Sequence, residues 1–303
     1  MFGNNTLKGV FLVGLGATSY GMLATFVKLA YKDVSSQGLH YTAAEITLSQ
    51  FILGILVVLG INAFQKNKNK SNVVKASSND IKKLMIVGTS TGLTSIFYYL
   101  AVKYIPVSIG IVLLMQTVWM GVLLEMIIDK KLPSKTKIIA VIVVLFGTLL
   151  ATNVFTNDIE LDWRGVVLGL MAAASFTTTM FAANKVALTI SSAQRSLYML
   201  LGGLIIVILF TIFSQNTPFN VDIFYKWGII MALFGTVIPP MLLNAGFPLT
   251  GIGLGSIVSA LELPVSVLMA FFVLGEIVVL GQWVGIILII LAIVLMNINF
   301  NKK

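Results

Sequence analysis

The sequence predicts an all-α polytopic membrane protein whose ten transmembrane helices form two inverted-topology five-helix repeats. Three observations carry that expectation. The chain is 58% hydrophobic and 10% charged, with a mean hydropathy of +0.99, whereas a soluble domain is about 25% charged. Apolar stretches of membrane-spanning length recur along the whole chain. The second half also echoes the first in order.

A span needs about 20 mainly apolar residues, and ten stretches qualify: 9–30, 41–64, 84–102, 107–128, 138–155, 165–186, 197–213, 227–247, 252–274 and 278–298. Almost nothing is left for a soluble domain. The longest connection, 65–83, is rich in Lys, Asn and Ser and has too little apolar surface to fold alone, so it is expected to be a flexible loop. The first span carries Lys28 and lacks a clear A-x-A site, so it is expected to stay in the mature chain rather than be cleaved as a signal peptide. The sequence has no cysteine and one histidine, His40. That excludes disulfides, thiolate chemistry and a His/Cys metal cluster.

The formal charge of +9 takes its meaning from its distribution. With a cytoplasmic amino terminus, fifteen of the Lys and Arg residues fall on the inner side, from Lys8 through Lys66–Lys83, Lys130–Lys137, Lys185 and Arg195 to Lys303. Lys28, Lys32, Lys103, Arg164 and Lys226 make five on the outer side. Such an asymmetry sets orientation, so both termini are expected to be cytoplasmic, in a multi-pass inner (plasma) membrane protein. The lysines read as topological and not as a nucleic-acid site.

The repeat divides the chain into units 1–157 and 158–303. Gly9, Ser19 and Tyr20 align with Gly165, Ser175 and Phe176 at an offset of 156; Ala44, Leu48 and Gly54 align with Ala193, Leu197 and Gly203 at 149. Gly88-Thr89 falls on Gly235-Thr236 at 147, Ile111-Val112 on Ile257-Val258 at 146, and Ala140 and Gly147 on Gly285 and Ala292 at 145. Five spans per unit is odd, so the second unit enters from the opposite side, as in many secondary transporters with a midplane site between repeats.

Glu262 sits at the centre of the ninth stretch, with Pro264 two residues on and Ser259 and Ser266 on the same helical face. A carboxylate at mid-membrane depth is costly unless it faces a cavity or a partner, so its default reading is functional, beside the plainer one of a structural acid bonded to a neighbour. Its repeat counterpart, Gln116, is either a facing polar group or an ordinary interhelical bond. Trp119, one turn on, is either lipid-facing or a stacking wall. Ser95, Tyr98 and Tyr99 look like pocket lining, although tyrosines near a span's end also anchor interfaces, the reading preferred for Tyr99. Ser19, Tyr20, Ser175, Thr178 and Thr179 line a cavity or simply pack helices. Pro239-Pro240 removes two backbone donors and is expected to break the eighth span, with Asn244 close enough to repair the backbone or touch a ligand. Glu125 and Glu276 at span ends read as charge-paired or snorkelling residues. Lys28 and Glu45, at neighbouring outer ends, are expected either to pair as a gate in one access state or to be two unconnected interface residues.

Leu261-Glu262-Leu263-Pro264, then Leu274-Gly275-Glu276 and a last helix spaced by Gly281 and Gly285, resemble the drug/metabolite transporter superfamily in its EamA-type branch. The resemblance covers nearly the whole chain. The family more often has Pro directly after the Glu, and the first half here has Gln116-Thr117-Val118 and Asp129-Lys130 at the corresponding places. The resemblance implies a ten-helix carrier of small metabolites, often amino acids, working by alternating access, with export the expected direction. Expected partners are therefore a small-molecule substrate and the lipid bilayer, with a homodimer left open, no nucleic acid and no cofactor. The alternatives are a lipid-carrier flippase and a non-transport membrane scaffold. An enzyme is not expected, because no serine has a plausible base beside it.

In this cysteine-free chain a single cysteine replacing Asn72 is expected to react with a membrane-impermeant thiol reagent only after the cells are opened. Labelling in intact cells overturns the assigned orientation.

Overall fold

The computed structural model describes residues 4–68, 74–105, 107–154 and 162–299. Positions 72 and 158, and the boundary expected at 157–158, lie outside the described residues. Within them the regular structure is helical apart from one antiparallel bridge between Val34 and His40. Eight helical stretches are long and apolar enough to cross a membrane, and Leu280–Met296 is a shorter apolar one.

The chain runs through α1 (Asn4–Lys32), α2 (Ala43–Lys68) and α3 (Ser78–Ala101), then α4 (Val107–Leu114) and α5 (Thr117–Asp129), which together make the fourth crossing, and α6 (Lys135–Ala151). The second half has α7 (Trp163–Lys185) and α8 (Ser192–Ser214), then a crossing made of a π-helical turn, α9 (Ile229–Met231), a second π-helical turn (Ala232–Val237) and α10 (Ile238–Thr250). It ends with α11 (Ile252–Ser259) and α12 (Glu262–Leu274) as one crossing, and α13 (Leu280–Asn299). With 17 residues, α6 is about 26 Å long, somewhat short of a hydrocarbon core of about 30 Å.

Helix starts are fixed by side-chain caps that satisfy free backbone N–H groups. Ser77 and Asp80 form a reciprocal capping box at α3, while Ser134, Asp162 and Ser191 cap α6, α7 and α8. Helix packing then places the same elements against each other twice. α1 lies along α10, and its counterpart α7 lies along α3, the counterpart of the α10 crossing. Tyr20 and Phe176, at equivalent positions of the two halves, meet edge to face with ring centroids 5.9 Å apart. Small residues bring α3 and α8 into backbone contact: a Cβ on Gly202 would lie 2.0 Å from the Met85 carbonyl oxygen, the close approach typical of membrane helix pairs.

The expected break at Pro239-Pro240 does not occur. The crossing absorbs the two prolines by widening into a π register before them, so that the Ile238 N–H donates to the Leu233 carbonyl. The next donor in that register would be residue 239, a proline without an N–H. Ser19 Oγ supplies the Phe234 carbonyl instead, at 3.0 Å. A third proline, Pro248, lies inside α10 and leaves the Asn244 carbonyl without its helical donor.

That carbonyl is met by Arg195, which is 2% exposed. Its Nη1 donates to Asn244 O at 2.6 Å, its Nε to Val186 O at 3.0 Å, and its Nη2 to Ala182 O and Ala183 O at the end of α7. A guanidinium buried without a carboxylate is thus held by carbonyl dipoles at a helix C-terminus, where positive charge is favoured. Arg195→Ala is expected to lower the melting temperature in detergent, the lost charged hydrogen bonds costing about 3 kcal/mol. Arg195→Lys should recover only part of it, because a point charge cannot serve four carbonyls in a fixed fork.

Candidate functional site

Two crossings are interrupted at matching places, and the interruption positions the acidic residue. Between α4 and α5 the chain tightens into a 3₁₀-like turn, with Gln116 N–H donating to Leu113 O and Val118 N–H to Met115 O. Between α11 and α12 the same tightening appears, with Ala260 N–H to Ile257 O and Leu261 N–H to Val258 O. Gln116 is the residue just before α5, and its counterpart Glu262 is the first residue of α12. Pro264, in the first turn of α12, is placed where a missing N–H does no harm.

Each interruption is braced by the first helix of a half. Gly21 of α1 lets that helix seat on the second one, where an added Cβ would fall 2.5 Å from the Glu262 carbonyl oxygen. Thr177 of α7, equivalent to Gly21 at the offset of 156, bonds Thr117 Oγ1 at 2.8 Å beside the first. Glu262 itself is half-buried. Its carboxyl group lies within electrostatic range of the Tyr20 and Tyr98 hydroxyls.

The structure brings together some of the residues expected from sequence and separates others. Glu262, Tyr98 and Tyr20 share one region. Tyr99 is not an interface anchor: it is buried, edge-on to Tyr31 at 6.4 Å. Ser259 is buried and satisfied by Gly255 O at 2.9 Å, Ser266 is half-buried one turn beyond Glu262, and Ser19 is engaged by the Phe234 carbonyl. Gln116 turns back on its own segment, with Nε2 donating to Val112 O at 3.0 Å and Oε1 accepting from Trp119 Nε1 at 2.9 Å. Trp119 is 37% exposed. Asn244 donates from Nδ2 to Ser196 Oγ at 2.9 Å and lines a narrow cavity with Tyr20, Thr91, Phe176 and Met180.

Lys28 and Glu45 are not paired in this structure. Lys28 forms an ion pair with Glu276, both about half exposed. Glu45 is fully buried and accepts from Thr42 N (2.8 Å), Asn220 N (2.7 Å), Asn220 Nδ2 (2.9 Å) and Gln215 Nε2 (3.0 Å). Its own N–H takes Thr42 Oγ1 at 3.2 Å. Thr42-Ala-Ala-Glu45 is a capping box, and that spacing is a sequence signal of a structural place for Glu45 that the gate and interface readings left out. Nearby, the Trp227 indole N–H and the Val34 N–H hold the Asp33 carboxyl below the usual carboxylate range.

The family model of the EamA-like transporter family matches residues 7–153 and again 163–298. Comparison with curated proteins returns no match. Among solved structures, one described only as a crystal structure of a protein superposes with a TM-score of 0.76, covering 99% of this chain and 100% of its own, at 14% identity. At that identity the likeness is one of fold.

A seam sequence reasoning missed joins the halves where α5 meets α11. Glu125 of α5 accepts from the Gly253 N–H of α11 at 3.2 Å and pairs with Lys137 of α6, the side chains being 18% and 13% exposed. Ser256 Oγ reaches the Val118 carbonyl at 3.2 Å. The counterpart seam, α4 against α12, is not among the closely packed helix pairs of the described residues. Replacing Glu125 by Ala leaves Lys137 without its partner, which is destabilising in a partly buried place. A lone cysteine at position 256 is then expected to react about tenfold faster with a small thiol reagent than in the parent background, a loss the size of one charged hydrogen bond. An unchanged rate shows that the ion pair does not hold the seam.

Proposed function

The chain belongs to the EamA-like transporter family, and we propose that it moves a small metabolite, an amino acid or related amine, across the plasma membrane by alternating access. In this reading the chain crosses ten times, with α6 and α13 as the fifth and tenth crossings, in two inverted five-helix units with both termini in the cytoplasm. The charge asymmetry of the loops supports that orientation, and the recurrence of the α1–α10 contact in α7–α3 supports the inversion.

The observation that carries this reading is the position of Glu262. A half-buried carboxyl at the start of an interrupted membrane helix, beside two tyrosines and close to where Tyr20 meets Phe176, is expensive to keep unless it is used. Interrupted helices at mid-membrane depth are tolerated where they are enclosed by protein or line a cavity, and they recur at transporter substrate sites. Glu262 therefore receives either the cationic group of the substrate or a coupling proton. In this reading the seam held by Glu125 and Lys137 is the inner closure, and the looser packing of α4 against α12 marks the outer opening. Lys28 pairs with Glu276, at the outer ends of α1 and α12, and this pair is the outer gate.

Glu262→Gln keeps the volume and removes the charge. It is expected to leave the fold and melting behaviour close to the parent while reducing uptake of the substrate into proteoliposomes by about tenfold to a hundredfold, the size of a lost charged hydrogen bond. Gln116→Ala should have the smaller effect, since Gln116 bonds within its own segment. Parental rates in Glu262→Gln at every pH tested overturn the assignment.

A further inference from the structure

We propose that the cavity between α3, α7, α8 and α10 seats the uncharged body of the substrate, and that the substrate is an amphipathic amine. Its ammonium group is set against Glu262, and its apolar frame ends in a neutral hydrogen-bonding group set against Asn244 and Thr91. The proposal rests on the reading of Glu262 as the substrate's cation site and names the class of molecule that site takes.

The cavity walls are largely apolar, with Phe176, Met180, Met199, Leu200, Leu243 and Phe247 among them. Aromatic and thioether side chains adapt to flat or flexible apolar groups. Two polar atoms interrupt this lining. Asn244 Oδ1 and Thr91 Oγ1 are shut off from solvent and have no hydrogen-bond partner among the described residues, and both residues line the cavity. Asn244 is 3% exposed, with the other end of its carboxamide already used on Ser196. Buried polar groups are nearly always bonded, so two free ones on a single cavity wall define a place made for a neutral donor or acceptor.

The connection to Glu262 runs through α1. Tyr20 lines the cavity, and its neighbour Gly21 packs directly on the Glu262 backbone. Charge then selects the class. Among the described residues no cationic side chain lines the cavity. The nearby guanidinium of Arg195 is engaged by the carbonyls of Val186, Asn244, Ala182 and Ala183. A carboxylate brought here would stay unpaired in a dry, apolar setting, which is costly; an amine with a neutral tip is matched at both ends. The cavity in this structure has room for about one water molecule, so the proposal requires the helices to part before the body enters.

Three probes of nearly equal size separate the possibilities: 4-hydroxyphenethylamine, phenethylamine and tyrosine, measured by the melting shift of the purified full-length protein in detergent. The hydroxylated amine is expected to bind about tenfold more tightly than phenethylamine, the worth of one well-placed hydrogen bond, and tyrosine more weakly than either. Asn244→Leu and Thr91→Val are each expected to bring the two amines within about threefold of each other, the second variant being nearly isosteric and so safe for folding. Glu262→Gln should weaken both amines equally. A hydroxyl preference that survives both cavity variants overturns the cavity assignment, and so does tyrosine binding as tightly as the hydroxylated amine. Undiminished amine binding in Glu262→Gln overturns the reading of Glu262 itself, and with it the proposal. A wild-type protein that neither amine shifts overturns both.

Discussion

Inside a bilayer a backbone carbonyl that loses its helical donor has no water to turn to, and this constraint organises the structure. Three prolines in one crossing create the problem. The π-helical widening before Pro239 answers part of it, Ser19 of a neighbouring helix answers the Phe234 carbonyl, and Arg195 answers the carbonyl orphaned by Pro248. The two side-chain repairs tie different helices to this crossing, α1 by Ser19 and α8 by Arg195. Backbone satisfaction therefore doubles as tertiary structure, in a setting where burial of apolar surface gives helices little reason to associate.

The two interrupted crossings are a second expression of the same constraint. A 3₁₀-like turn keeps the backbone bonded while redirecting the helix, which lets Gln116 and Glu262 stand at helix starts without opening the main chain. Only one of them is ionisable. The polar side chain at 116 is absorbed by Val112 and Trp119, whereas the one at 262 is left facing tyrosines. Two halves of similar build have thus been given different work, the first closing a seam and the second holding the ionisable group.

Most of the architecture was legible in the sequence because length and hydropathy determine which stretches cross a membrane. Glu262 stood out for the same reason, since no other charged residue falls at the centre of an apolar stretch of the sequence. Local signals were less reliable where the answer lay on another helix. Pro239-Pro240 announces a break, but the break is prevented by Ser19, more than two hundred positions away in the chain. The turn at Met115-Gln116 carries neither proline nor glycine and becomes visible only beside its counterpart at Ala260-Leu261. Arg195 appeared as one more inner-side cation because composition does not show which carbonyls need a donor. Glu45 was the opposite case: Thr42-x-x-Glu45 stated its capping role plainly, and proximity in sequence to Lys28 drew attention away from it.

The seam held by Glu125, Lys137 and Gly253 has no equivalent in the other half, where the corresponding positions are Phe271, Gln282 and Val107. Two perfectly equal halves would make the two orientations of a carrier equal in energy. A latch present on one side alone would remove that degeneracy and leave an unloaded alternating-access carrier mainly in one orientation. Thermodynamics still forbids net pumping without an energy source, which fixes the ratio of maximal rate to half-saturation concentration as identical in both directions. The separate values are free to differ. An ion pair buried at one end of the bundle is therefore enough to make such a carrier saturate at low concentration from one side and at high concentration from the other.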